Sequence, residues 1–160
     1  GYTEELAIGA TTRMPRMFGF QAAGSAPIVL GHVVKDPDTI ASAIRIGNPA
    51  SWDLALKAHA DSDGYFGAIT DEKILEAHRI LSAEVGIFVE PASAISVAGL
   101  LERADAGEVP KGATVVLTVT GHGLKDPQWA LRTADGSDVA PTVVSVDTDE
   151  VASVLGLVRE

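Results

Sequence analysis

The residues of this chain that could do chemistry stand where apolar runs break. Val115-Val116-Leu117-Thr118-Val119-Thr120 is a near-continuous β-branched run, the pattern of a strand buried on both faces of a parallel sheet, and it stops at Gly121-His122-Gly123-Leu124-Lys125-Asp126-Pro127. Ligands of an open α/β sheet bind outside the carboxyl ends of its strands, and Thr120 stands at such an end. Its hydroxyl can meet a ligand heteroatom as donor or acceptor, with glycine beside it to let backbone come close. The same hydroxyl could instead bond its own turn. Glu90 ends a second apolar run, Ile87-Phe88-Val89, directly before Pro91. A carboxylate there either faces a ligand or meets backbone donors at the start of the next helix. Arg45, among Ile44, Ile46 and Gly47, could pair a phosphate or carboxylate bidentately, or snorkel from a helix end.

Other polar residues lead away from chemistry. His122, between two glycines, invites a catalytic reading, but no Ser or Cys nucleophile motif accompanies it, so it reads as a histidine bonding backbone in a tight turn. His32, His59 and His78 show no metal-ligand spacing. The stretch from His59 to Gly64 superficially resembles a calcium loop, yet His59 and Thr70 stand where the loop needs a carboxylate and a bidentate Glu. No metal site is expected, and no residue is assigned a catalytic role.

The elements that must position these residues alternate. Strands are expected over 17–22, 65–69, 87–89, 113–119 and 142–146. Asp36-Pro37-Asp38 has an acidic cap and a proline at the first helical position, predicting a helix from there through Ile44 and Arg45 to Gly47. Ser51 is expected to cap a helix that closes by Gly64. Thr70-Asp71-Glu72 opens a longer one with Ile74, Ala77 and Leu81 on its buried stripe, stopped by Gly86. A further helix follows Glu90 with Ala94, Val97, Ala98 and Leu101 on its apolar face. Asp135-Gly136 signals a turn, and 147–158 a terminal helix capped near Thr148 or Asp149. Strand and helix in alternation indicate an α/β fold, an open, mostly parallel sheet flanked by helices. The expected division is 1–130, part of the sheet domain, and 131–160, a tail with a strand and a short helix.

The 160 residues suffice for a sizeable core, and the apolar content argues against disorder. The chain contains no cysteine, which excludes disulfides, thiolate metal sites and a Cys nucleophile, and fits a reducing, cytoplasmic setting. A net charge of −10 without a Lys/Arg cluster argues against nucleic-acid binding. No apolar run is long enough to cross a bilayer.

Four segments share one resemblance in order. They are Pro15-Arg16-Met17-Phe18-Gly19-Phe20-Gln21-Ala22, Ala43-Ile44-Arg45-Ile46-Gly47-Asn48-Pro49, Glu90-Pro91-Ala92-Ser93-Ala94, and Thr120-Gly121-His122-Gly123-Leu124-Lys125-Asp126-Pro127. Together they resemble the threonine synthases, pyridoxal-phosphate lyases of the tryptophan-synthase-β fold type (fold type II), over residues 2–127. The resemblance implies that the Thr120 hydroxyl meets the cofactor's pyridine nitrogen, that Glu90 lies near the cofactor, and that Ile44 packs beside the ring. It implies O-phosphohomoserine and water as substrates, threonine and phosphate as products, and a homodimer. A related dehydratase and a non-catalytic α/β module are the alternatives.

The family's cofactor-anchoring lysine lies in a Ser-Phe-Lys-Asp type motif, and a Gly/Asn-rich loop holds the cofactor phosphate. Neither occurs in these residues: Lys35, Lys57, Lys73, Lys111 and Lys125 all lack that context. The chain is therefore expected to be the C-terminal part of such an enzyme and to be inactive alone.

Overall fold

The computed structural model describes residues 1–132 and 137–157. It divides into two units, Gly1–Pro127 and Gln128–Glu160. In the first, helix α1 (Tyr2–Ala7) is followed by strand β1 (Phe18–Ala22) and the short helix α2 (Pro27–Leu30). Helix α3 (Trp52–Asp61), strand β2 (Tyr65–Ile69), and helices α4 (Asp71–Ile80) and α5 (Pro91–Asp105) complete the order.

Strands β1 and β2 pair in parallel, Phe18 opposite Tyr65 through Ala22 opposite Ile69. Parallel neighbours need a crossover, and α2 and α3 lie on it. Ala22 and Ile69 are buried against Ile74, Ala77 and Leu81 from α4 and its extension, and against Ala94, Ile95 and Ala98 from α5. The stripe expected on α4 is thus its buried face. On α5, Val97 is only partly buried and Leu101 is exposed. This helix sits close on the sheet because Gly99 lacks a side chain: a Cβ there would come within 2.4 Å of the Phe20 ring. One turn of π-helix, Leu81–Val85, extends α4 before Gly86 ends it in the left-handed conformation at φ 73°.

The α/β class with parallel strands is as expected, but several elements differ. Residues 113–119 form no strand, and Val116 is 86% exposed. A strand needs ladder partners for its N–H and C=O groups, and among the described residues none pairs with this run. Residues 87–89 contribute one antiparallel bridge, Val89 opposite His122, rather than a strand.

The helix expected over 36–47 shrinks to a 3-10 turn, Ser42–Ile44, because its backbone donors are taken elsewhere. Asp38 N donates to Gly24 O (3.0 Å), Ile40 N to Asp71 Oδ2 (3.0 Å) and Ala41 N to Thr39 Oγ1 (3.1 Å). Ser51 precedes α3 without a side-chain capping bond.

In the second unit, helix α6 (Thr148–Val154) is capped by Asp147, one residue before the expected position; its carboxylate accepts from Asp149 N and Glu150 N. Residues 142–146 form no strand, and Val143 and Val146 are exposed without a ladder partner among the described residues. The Asp135-Gly136 turn and the expected helix end at Val158 lie outside the described residues. No helix among them is long and apolar enough to cross a membrane.

Candidate functional site

The start of α5 organises the site. Pro91 occupies its first turn, with φ preset for a helix, and Glu90 stands at the cap in extended conformation. Glu90 N donates to Gly121 O (3.0 Å), and Gly123 N to Phe88 O (3.3 Å). These bonds lay 121–123 against 88–90, bringing Thr120 over the first turn of the helix. There Ser93, 2% exposed, is the junction. Its Oγ accepts from Thr120 N (3.1 Å) and Gly121 N (2.6 Å) and lies 3.0 Å from Thr120 Oγ1. Thr120 itself is exposed.

Glu90 is 4% exposed. Its Oε1 lies 1.9 Å from where a Cβ of residue 121 would be, so any side chain at 121 requires Glu90 to move. Lys125 Nζ lies 3.8 Å from the same oxygen on a side chain 64% exposed. The positive end of α5 adds to this partial compensation of a buried carboxylate. Of the two open readings of Glu90, bonding to backbone donors at the helix start is not what the structure has: the residue stands at the cap, but its side chain caps no backbone N–H.

A third segment joins through Ser42, whose Oγ donates to Asp126 Oδ2 (3.0 Å), Asp126 being buried. This ties the Ser42–Ile44 turn to the Gly123–Lys125 turn, and Ile44, half-buried, packs on the core. Arg45 Nε donates to Thr39 O (3.0 Å). His122 Nδ1 accepts from Leu124 N (3.2 Å), a histidine bonding its own turn.

Thr120 and Glu90 thus meet at Gly121, and Ile44 arrives on the segment that Asp126 anchors. Sequence reasoning singled out neither Ser93 nor Asp126. Ser93 did lie inside a quoted motif, three residues past the cap, where a small hydroxyl can face the chain crossing the helix start.

A family model described as "Pyridoxal-phosphate dependent enzyme" matches residues 2–121. The chain belongs to this family. A threonine synthase of Mycobacterium leprae is 55% identical over 158 residues, 99% of this chain and 43% of that protein. A threonine synthase of Synechocystis sp. is 51% identical over 156 residues, 98% of this chain and 40% of that protein. The chain therefore spans less than half the length of these relatives.

Among solved structures, a threonine deaminase from T.th. superposes with a TM-score of 0.55 at 23% identity, covering 75% of this chain and 43% of that one. A Rhizomucor miehei L-serine ammonia-lyase gives 0.57 at 18%, covering 81% and 44%. At these identities the likeness is one of fold.

The donor set at the site suits the family's cofactor. Thr120 is an exposed residue with a neutral hydroxyl 3.0 Å from a buried serine, and the bulkier Glu90 is turned into the space beside Gly121.

Proposed function

We propose that this chain is the C-terminal part of a threonine synthase, which converts O-phosphohomoserine and water to threonine and phosphate. The observation that carries the reading is identity of 51–55% to threonine synthases across nearly the whole chain. Thr120 binds the pyridine nitrogen of pyridoxal phosphate, Glu90 lies near the cofactor, and Ile44 packs beside the ring. The bound cofactor supplies an electron sink, and a hydroxyl rather than a carboxylate at its nitrogen limits how strong that sink is. Ser93 holds Thr120 in place, and Asp126 holds the turn that carries Ile44. The anchoring lysine and the phosphate-binding loop belong to the other part of the enzyme, so these residues alone are inactive. The whole enzyme is a cytoplasmic homodimer.

The test combines intact mass with an absorbance scan in the presence of pyridoxal phosphate, then an assay of phosphate release from O-phosphohomoserine. A longer polypeptide is expected to show a protein-bound cofactor band and to release phosphate. A 160-residue polypeptide is expected to do neither. A longer protein that binds the cofactor but yields ammonia from serine or threonine, and no phosphate, overturns the reading in favour of a dehydratase.

A further inference from the structure

Ser93 has more partners than a simple structural serine needs. Its oxygen receives two N–H groups, from Thr120 (3.1 Å) and Gly121 (2.6 Å). A hydroxyl oxygen has two lone pairs, so both are occupied, and what remains is one proton to give. Two acceptors are in reach: Thr120 Oγ1 at 3.0 Å and Gly121 O at 3.3 Å. The second exceeds the ordinary O–H···O range and already accepts from Glu90 N at 3.0 Å. The proton therefore goes to Thr120. At 2% exposure, Ser93 has almost no water to compete for it.

We propose that Ser93 is a positioning residue that sets the direction of the Thr120 hydroxyl. By filling one of the two acceptor sites on Oγ1, and having no lone pair left to accept with, it keeps the Thr120 proton for a partner other than itself. This rests on the reading that Thr120 faces the cofactor's pyridine nitrogen. A hydroxyl whose proton is kept for an outside partner favours an unprotonated nitrogen over a pyridinium, whose N–H would have only the one remaining lone pair of Oγ1 to meet. The nearby Glu90 carboxylate would act in the opposite sense. It is directed at Gly121, with Lys125 Nζ 3.8 Å away. Ser93 thus tunes the ring without touching it.

The experiment uses the full-length holoenzyme reconstituted with cofactor carrying 15N in the ring, and reads the ring-nitrogen resonance across pH. The unaltered protein is expected to hold the resonance at an unprotonated, hydrogen-bonded position. Ser93→Ala lets the Thr120 hydroxyl turn so that its proton is no longer kept for the ring, and the resonance moves toward the pyridinium position, with a pH-dependent transition absent from the unaltered protein. Thr120→Val moves it the other way, to that of a nitrogen without a donor, and Ser93→Ala adds no further shift in that background. Should Ser93→Ala fail to accumulate as holoenzyme, Ser93→Cys keeps the volume with a weak donor and is expected to shift the resonance in the same direction.

Three results overturn the proposal. One is a pyridinium in the unaltered protein. Another is an unchanged resonance in the Ser93 variant that folds, while Thr120→Val does move it. The third is an equal Ser93 effect with and without the Thr120 hydroxyl. If Thr120→Val itself leaves the resonance in place, it is the placement of Thr120 at the ring that fails.

Discussion

Glu90 Oε1 occupies the position that a side chain at residue 121 would need, 1.9 Å from a Cβ built on Gly121. The pair is linked by backbone as well, through the Glu90 N to Gly121 O bond of 3.0 Å. Making room means moving a carboxylate that is 4% exposed out of its place beside main chain. Gly121→Ala is therefore expected to destabilise the fold by about 1–3 kcal/mol, the usual range for overpacking. Urea denaturation reads this as a lower midpoint. A midpoint equal to that of the unaltered protein would show that Glu90 swings out freely.

Gly99 tests the seat of α5 on the sheet. In an exposed helix, Gly→Ala stabilises by about 1 kcal/mol through propensity. Here the added Cβ would lie 2.4 Å from the Phe20 ring. Overpacking of about 1–3 kcal/mol outweighs or cancels that gain, so Gly99→Ala is expected to be neutral to destabilising. Pairing it with Phe20→Leu restores room, and the double variant is expected to be more stable than the two separate effects predict. Thermal unfolding of the four proteins in the cycle decides.

Asp71 holds the segment that was expected to be helical. Its carboxylate accepts from Thr39 Oγ1 (2.5 Å) and from Ile40 N (3.0 Å), and it stands in the first turn of α4. Asp71→Ala strips partners from the buried Thr39 hydroxyl and from a main-chain donor and is expected to cost about 2–4 kcal/mol. Hydrogen exchange localises the damage: faster exchange at 38–41 supports the assignment, and loss spread evenly over the chain contradicts it.

His78 makes stability depend on pH. It is buried, with its ring edge toward Phe88 at 6.4 Å between centroids. Burial pushes its pKa below the ordinary 6.5, outweighing its hydrogen bond to the Val89 backbone, while Arg79 adds to the depression. The unfolded chain therefore binds this proton more readily than the folded one. The stabilisation is fully present above pH 6.5 and is lost as the pH falls through the lowered folded value. Chemical denaturation at stepwise pH is expected to show that loss, and His78→Leu is expected to flatten this part of the profile. An unchanged slope in the variant would assign the acid sensitivity to carboxylates instead.

Local chemistry alone determined a good part of this protein. The Phe18–Ala22 and Tyr65–Ile69 strands, the α4 stripe of Ile74, Ala77 and Leu81, and the proline-led start of α5 follow from side-chain period, capping and φ restriction. Those rules act within a turn or two of chain, so sequence suffices to read them. The motifs at Glu90 and Thr120 were legible in the same way, as polar residues at the ends of apolar runs.

Contacts across the chain decided the rest. Residues 113–119 have strand composition, but a ladder needs a neighbour, and propensity does not supply one. Residues 36–41 have a helix-starting sequence, yet Gly24, Thr39 and Asp71 capture their backbone bonds. Ser93 and Thr120 stand 27 positions apart, and nothing in either local sequence says that they will share a proton. Only the folding of residues 121–123 against the start of α5 brings them within 3.0 Å, because hydrogen bonding depends on distance and direction in space rather than on separation along the chain.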